Sequence, residues 1–83
     1  MDKTEANNTL FIAQNLRLLI SEKGINQEVV GNYCNVTNSC VSSWCRGLNL
    51  PPIDKIVIIC KQFDISLDDF VTKKLKVERK LTA

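Results

Sequence analysis

The chain has 83 residues, of which 45% are hydrophobic and 24% are charged, a balance that is ordinary for one small globular domain. The formal net charge of +2 gives little support for a polyanionic partner, and no apolar run is long enough to span a membrane. Because the N-terminus lacks the basic-then-apolar pattern of a signal peptide, we expect a reducing, cytoplasmic location.

The first predicted helix begins after Thr9, its predicted N-cap, and runs to about Lys23, because apolar residues recur every three or four positions. Gly24 follows its last turn, where a residue with positive φ is favoured. Residues 1–8 are polar and are expected to form a flexible N-terminus. The folded domain is therefore expected to begin at residue 9.

A second, short helix is predicted from Gln27 to about Cys34, with Asn26 as its N-cap. Asn35 follows as a tight-turn residue, because asparagine tolerates positive φ. Gly31 lies inside this helix, where the absence of a side chain lets the next helix approach closely. These features are typical of the first helix of a helix-turn-helix.

The third predicted helix runs from Asn38 to about Arg46, with Thr37 as its N-cap and Gly47 at its end. Val36 is the apolar residue of the preceding turn, and Val41 is expected to point into the core. The second and third helices together match the pattern of a helix-turn-helix.

A fourth helix is expected to start near Pro52 and to run to about Phe63, since proline is favoured at the first helical position. Its apolar residues recur at helical spacing, and they are Ile53, Ile56, Val57, Ile59 and Cys60.

Ser66 is predicted to cap a fifth helix whose inward residues are Leu67, Phe70 and Val71. Five short helices indicate an all-α domain over residues 9–72, followed by a basic C-terminal extension, 73–83. A continuation of the fifth helix past Leu75 towards Leu81 is left open. The basic residues of the extension are usually a solvated helix face, and less often a contact with nucleic acid; they are Lys73, Lys74, Lys76, Arg79 and Lys80.

Four cysteines and no histidine are present in the chain. Structural zinc sites normally use closely paired ligands, which these spacings do not provide, and a disulfide framework does not suit the expected compartment. We therefore predict no metal site and no cofactor. Cys34 and Cys60 at least are expected to be small buried hydrophobic residues.

The ordered set of these features resembles the lambda-repressor-like, or Xre-like, DNA-binding domains. The resemblance covers about residues 12–71, and it implies five helices, with a helix-turn-helix formed by helices 2 and 3. The matching segments are Leu16-Arg17, Gly24 to Gly31, Asn35 to Thr37, Val41 to Trp44, Arg46-Gly47, Pro51 and Phe63 to Phe70.

Two positions depart from this family. Many members carry an arginine at the position of Ile20 and a glutamate at that of Cys45, and the two can form a partly buried ion pair. Replacing both partners with apolar groups avoids a stranded buried charge. We therefore expect Ile20 and Cys45 to pack against each other, with Cys45 in the core.

The resemblance implies that the third helix enters the major groove with its N-terminal end first. Asn38 is the predicted main base contact, since an asparagine side chain can bond adenine N6 and N7. Ser39, Ser42 and Ser43 are predicted supporting base contacts, with solvent or phosphate as the alternative for each. Cys40 can touch a thymine methyl group or pack against the core, and packing is favoured.

Contacts to the phosphate backbone are predicted on both sides of this helix. The resemblance places Gln27 on a phosphate, in keeping with the partial positive charge of a helix N-terminus. Thr37, Arg46, Asn49 and Lys55 are the other predicted phosphate contacts.

The leading hypothesis is a sequence-specific transcriptional regulator that binds double-stranded DNA, most simply a repressor. The short chain suits a Cro-like phage repressor, a plasmid copy-control protein or a restriction–modification controller, without a separate ligand-sensing domain or a small-molecule ligand. A homodimer on an inverted-repeat operator is expected, with Val71–Leu81 as the candidate dimer element.

Two other function classes compete with this hypothesis. An antitoxin-like module would bind a protein partner and repress its own operon, although a short basic tail is a weak match for wrapping a toxin. An enzyme is not expected, because the sequence has no histidine, no nucleophile-plus-base arrangement and no phosphate-binding glycine loop.

Overall fold

The computed structural model describes residues 3–75, and these residues form five α-helices and no β-strand. The predicted all-α, five-helix fold is confirmed. The predicted extension from residue 76 onwards lies outside the described residues. The helices are α1 (Lys3–Lys23), α2 (Gln27–Cys34), α3 (Asn38–Cys45), α4 (Ile53–Phe63) and α5 (Leu67–Thr72).

Three polar side chains begin α2, α3 and α5 as the sequence predicts. Each accepts a hydrogen bond from the backbone N–H three residues further on, at 3.2, 3.1 and 3.0 Å respectively. These bonds satisfy N–H groups that have no partner inside the helix. The three N-caps are Asn26, Thr37 and Ser66.

The predicted start of α1 is wrong, because the helix begins at Lys3 and Thr9 lies inside it. Residues 3–9 contain neither glycine nor proline, so nothing in this segment ends a helix. Pro52 is the residue before α4 and not its first helical residue. Its φ of −64° still suits the approach to a helix.

The fifth helix ends earlier than a long C-terminal helix would require. Thr72 is its last residue, and Lys73 has an extended backbone with φ −117° and ψ 149°. The helix therefore does not continue through Leu75.

The core receives at least one fully buried side chain from every helix. α1 packs against α3 and α5, while α2 packs against α3 and α4. This arrangement leaves the outer face of α3 at the surface, where it can be reached. The fully buried apolar residues are Leu16, Val30, Cys34, Val41, Cys45, Ile59 and Phe70.

Asn15 is a fully buried polar residue that the sequence analysis did not single out. Its Nδ2 donates to the carbonyl oxygens of Phe70 and Lys73, at 2.7 and 2.8 Å, and its Oδ1 accepts from the N–H of Leu75 at 3.0 Å. A buried amide is stable only with such partners. Asn15 therefore ties the end of α5 and residues 73–75 to α1.

Some apolar residues predicted from helical spacing do not face the core. Leu67, predicted to point inward, is exposed, as are Ile53 and Val57 on α4. Ile56, Ile59, Cys60 and Phe63 provide the buried face of α4, and Phe70 provides that of α5. Spacing identified the residues that share a helix surface but not whether another helix covers them.

Candidate nucleic-acid interface

The turn between α2 and α3 is held at close range. Asn35 adopts the predicted left-handed conformation, with φ 60° and ψ 46°. The N–H of Val36 donates to the carbonyl of Gly31 at 2.9 Å. A Cβ atom on Gly31 would lie 2.8 Å from the carbonyl oxygen of Val36, so only glycine fits this contact. The predicted role of Gly31 is confirmed.

The inner face of α3 anchors this helix in the core. Val41, Trp44 and Cys45 are buried, with exposed fractions of 0, 3 and 1%. Cys40 is half-buried and packs against the same core, which agrees with the packing expected for it. These contacts fix which side of α3 faces outward.

The outer face of α3 carries the four predicted base contacts. Asn38 and Ser39, at the N-terminal end, are exposed, while Ser42 and Ser43, one turn later, are half-buried. The whole of α3 contains no charged residue. This face therefore offers hydroxyl groups and one amide, which can donate or accept hydrogen bonds, and it has no carboxylate to repel DNA.

Gln27 and Asn38 line one open depression of about 390 Å³ between the starts of α2 and α3. The structure thus brings a predicted phosphate contact and the predicted main base contact together. Ile20, Asn26 and Glu28 line the same depression. Glu28 is exposed, and its carboxylate would repel a phosphate at this place, whereas the uncharged amide of Gln27 can donate a hydrogen bond.

Three further phosphate candidates are exposed at the two ends of α3. The hydroxyl oxygen of Thr37 accepts from the N–H of Cys40 at 3.1 Å, and this leaves its own O–H free to donate. Arg46 follows the last residue of α3, and Asn49 lies in the loop beyond it. All three are accessible to a ligand along the outer face.

Lys55 is less available than the other candidates. It is half-buried on α4, and its Nζ lies 3.8 Å from a carboxylate oxygen of Asp54. Its carbonyl oxygen is 4.0 Å from the sulfur of Cys34, which places it beside the end of α2. The neighbouring carboxylate offsets part of the charge that a phosphate would meet.

A family described as Helix-turn-helix matches residues 15–70, which is more than half of the chain. The chain belongs to the helix-turn-helix family. The resemblance to its lambda-repressor-like, or Xre-like, members that the sequence predicts is confirmed. The matched range includes all of α2, α3 and α4, the part of α1 from residue 15 onwards, and α5 up to residue 70.

The fold is also similar to the crystal structure of a transcriptional regulator from Listeria innocua, with a TM-score of 0.72 and 27% sequence identity. The similarity covers 86% of this chain and 66% of that one, so this chain spans slightly less than two thirds of the Listeria chain. A comparison with curated protein sequences gives no match. The family match and the structural similarity support DNA-binding transcription regulation.

One contact of this helix-turn-helix was missed from the sequence. The guanidinium of Arg17 donates to the backbone carbonyl of Cys45, the last residue of α3. A cation at a helix C-terminus is favourable, because the last carbonyl groups carry a partial negative charge. Arg17 lies one turn before Ile20 on α1, so the two side chains share a face of the helix. This spacing is the sequence feature from which a contact between Arg17 and the end of α3 could have been predicted.

The apolar replacement at the two family positions fits this arrangement. Cys45 is buried, and Ile20 is half-buried and packs against the core that contains Cys45. The charge near this site comes from Arg17, which bonds a backbone oxygen and needs no acidic side chain. The prediction that Cys45 belongs to the core is confirmed.

The cysteines of this helix-turn-helix are free thiols. Burial raises the pKa of Cys34, Cys45 and Cys60 above the ordinary thiol value, and at Cys45 the charge of Arg17 partly opposes the rise. A raised pKa makes a thiol a poorer nucleophile and metal ligand at neutral pH. Among residues 11–75, whose side chains the structure describes, no cluster of cysteine and acidic side chains is placed to hold a metal. No helix of residues 3–75 is long and apolar enough to cross a membrane.

Proposed function

We propose that the protein is a sequence-specific regulator that places the N-terminal half of α3 in the major groove of double-stranded DNA. The observation that carries this proposal is the outer face of α3, which is accessible and uncharged and which projects from a helix-turn-helix. An α-helix fits the width of the major groove, where base edges offer distinct donors and acceptors.

Asn38 is the proposed main base contact. It is exposed at the first position of α3, so its amide can reach N6 and N7 of an adenine. Ser39 is equally accessible and is proposed as a second base contact. Ser42 and Ser43 are half-buried, so their short hydroxyl groups can reach only bases or phosphates close to the helix.

Phosphate contacts at both ends of α3 would hold it in register. Gln27 and Thr37 are proposed on one side, with Arg46 and Asn49 on the other, and Lys55 contributes least because of Asp54. Such contacts position a protein on DNA without selecting a sequence. With so few cations at the interface, the affinity should depend less on salt than that of a strongly basic repressor.

The finer proposal is a cytoplasmic, homodimeric repressor on an inverted-repeat operator. Two copies double the contacts of a small domain, and half-sites about one helical turn apart match a twofold symmetric protein. Repression requires only that the operator be occupied. A phage repressor, a plasmid copy-control protein and a restriction–modification controller all fit this description.

The test is selection of binding sites from random DNA duplexes, first with the wild-type protein and then with Asn38→Ala. We expect the variant to lose the preference at one base position while its affinity for unselected DNA is nearly kept. The matched control is Arg46→Ala, which should weaken binding to all sequences and reduce the salt dependence by about one phosphate contact. An unchanged selected site for Asn38→Ala would refute the assignment of this residue.

The antitoxin-like alternative makes a different prediction. A protein partner encoded beside this chain would co-purify with it in a stoichiometric complex. The selection experiment does not depend on such a partner, so the two proposals are tested independently.

A further inference from the structure

Five large apolar side chains are exposed among the described side chains, which are those of residues 11–75, and all five lie between residues 48 and 67. We call this set the apolar strip, and its members are Leu48, Leu50, Ile53, Val57 and Leu67. Single exposed apolar residues are normal, whereas a contiguous patch marks an interaction site. The position of the apolar strip therefore needs an explanation.

The apolar strip follows the chain from the loop after α3 to the start of α5. Ile53 and Val57 are four residues apart on α4 and share one face of it. Val57 and Leu67 line one open depression of about 300 Å³. Ile53, Val57 and Leu67 are exposed and are not covered by the helices that the structure describes, whereas the neighbouring face of α4, with Ile56, Ile59, Cys60 and Phe63, is buried.

The charges beside the apolar strip favour a second copy of the same surface. Lys61 and Asp64 line the depression together with Val57 and Leu67. In a twofold symmetric interface every contact occurs twice: if one residue of the first copy contacts another residue of the second copy, the same two residues also meet with the copies exchanged. Lys61 of one copy can then approach Asp64 of its partner, and Asp64 of the first copy can approach Lys61 of the partner. A partner surface with charges of only one sign would be repelled by either Lys61 or Asp64.

The apolar strip begins at the end of the proposed DNA-binding helix. The N–H of Leu48 donates to the carbonyl of Ser43 at 3.0 Å, so the first residue of the strip is bonded to α3. A symmetry axis through the strip would fix the distance and the direction between two α3 helices. An inverted repeat with a defined half-site spacing requires this fixed relation.

We infer that the apolar strip is the surface on which a second copy of this chain docks. This inference rests on the proposed function, because the second copy supplies the other half of the DNA interface. It replaces the expectation that Val71–Leu81 forms the dimer. Residues 73–75 are instead bonded to Asn15 on α1, and the part of that segment beyond residue 75 lies outside the described residues.

The test is sedimentation equilibrium of the full chain, with far-UV circular dichroism as a check of folding. Two variants place a charge in the apolar strip, Ile53→Lys on α4 and Leu50→Lys in the loop. Both side chains are more than half exposed, so the fold should be kept. The matched control is Gln62→Lys, which adds the same charge at an exposed position on another side of α4.

We expect the wild-type protein and Gln62→Lys to dimerise, and each strip variant to raise the dimer dissociation constant at least tenfold. If the circular dichroism spectrum shows that Ile53→Lys is unfolded, the dimer dissociation constant of Leu50→Lys alone decides whether the apolar strip forms the interface. Strip variants that dimerise as well as the wild type would overturn the inference. So would a wild-type protein that is monomeric both free and on DNA, and the strip would then belong to a different partner.

The outcome is separable from that of the proposed function. A strip variant that is monomeric but still selects a half-site through Asn38 supports both proposals. A dimer that depends on the apolar strip but ignores duplex DNA would support the docking surface and refute the DNA-binding function.

Discussion

The two ends of α3 are held very differently by the rest of the molecule. At the C-terminal end, Trp44 and Cys45 are buried, and Arg17 donates to the last carbonyl of the helix. At the N-terminal end, Asn38 and Ser39 are exposed, and the helix is held there by its own cap and the preceding turn. One end is anchored in the core, and the other end is accessible to a ligand.

This difference separates stability from recognition along a helix of eight residues. Substitutions near the C-terminal end should lower the free energy of unfolding. Substitutions near the N-terminal end should change DNA binding while leaving the fold almost unaffected.

The largest expected effect is that of Trp44→Ala at the anchored end. Truncating a buried tryptophan costs roughly 3–5 kcal/mol of the free energy of unfolding, because it removes apolar contacts and leaves a cavity. Urea denaturation measures this loss. The matched control is Ser39→Ala at the exposed end, for which we expect a change within about 0.5 kcal/mol. Equal effects of the two substitutions would contradict the comparison.

Arg17→Met should have the next largest effect. It removes the hydrogen bond to the carbonyl of Cys45 and should cost about 1–2 kcal/mol, which is typical of a bond to a charged group that is partly accessible to water. Arg17→Lys keeps the charge and should recover part of the loss. The control Lys74→Met removes an exposed cation elsewhere and should be nearly neutral. If thermal and urea unfolding of Arg17→Met match the wild type, the hydrogen bond from Arg17 to Cys45 contributes nothing to the stability of the fold.

Thr37→Ala tests the exposed end through its cap. Loss of the hydroxyl that accepts from the N–H of Cys40 should cost about 1 kcal/mol of stability. Thr37→Ser keeps the hydroxyl and should restore most of this stability. The same pair should differ in DNA affinity if Thr37 also contacts a phosphate. A stable Thr37→Ala protein with unchanged DNA affinity would remove both roles.

The smallest effect concerns the buried thiols of Cys34, Cys45 and Cys60. Burial raises the pKa of Cys34, Cys45 and Cys60 in the folded state, so between the unfolded and folded pKa values the folded chain binds more protons than the unfolded chain. The contribution of these thiols to the free energy of unfolding is therefore fully present below the pKa of an unfolded cysteine, about 8.5. It falls as the pH rises above that value.

Urea denaturation at several pH values measures that fall, and stability that stays constant or rises above the unfolded pKa would contradict it. At constant pH, a thiol reagent should label the half-buried Cys40 well before the buried Cys45. The Cys40→Ser variant shows which signal belongs to which residue. Rapid labelling of Cys45 in the folded protein would place it outside the core.

The features that the sequence predicted well depend on neighbouring residues. Asn26, Thr37 and Ser66 were identified as caps because each bonds an N–H only three residues away. Gly31 and Asn35 were identified because the turn requires a missing side chain and a positive φ. Such requirements are visible in a short stretch of sequence.

The features that were missed depend on residues far apart in the chain. Arg17 and Cys45 are 28 positions apart, and Asn15 and Leu75 are 60 apart. A pattern of local spacing contains no information about which distant carbonyl a side chain will meet. The exposure of Ile53 and Leu67 was missed for a related reason, since periodicity does not show which helix face remains uncovered.

The central claim, that the free end of α3 contacts DNA bases, is tested most directly by NMR titration of ¹⁵N-labelled protein with its selected duplex. We expect the largest shifts at the side-chain amide of Asn38 and at the backbone amides of residues 37–43, with a further shift at Gln27. Ile12, Ala13 and Leu16 of α1, which are buried and cannot touch a duplex, should shift least. Shifts confined to other helices, with the Asn38 amide unchanged at saturation, would contradict the account.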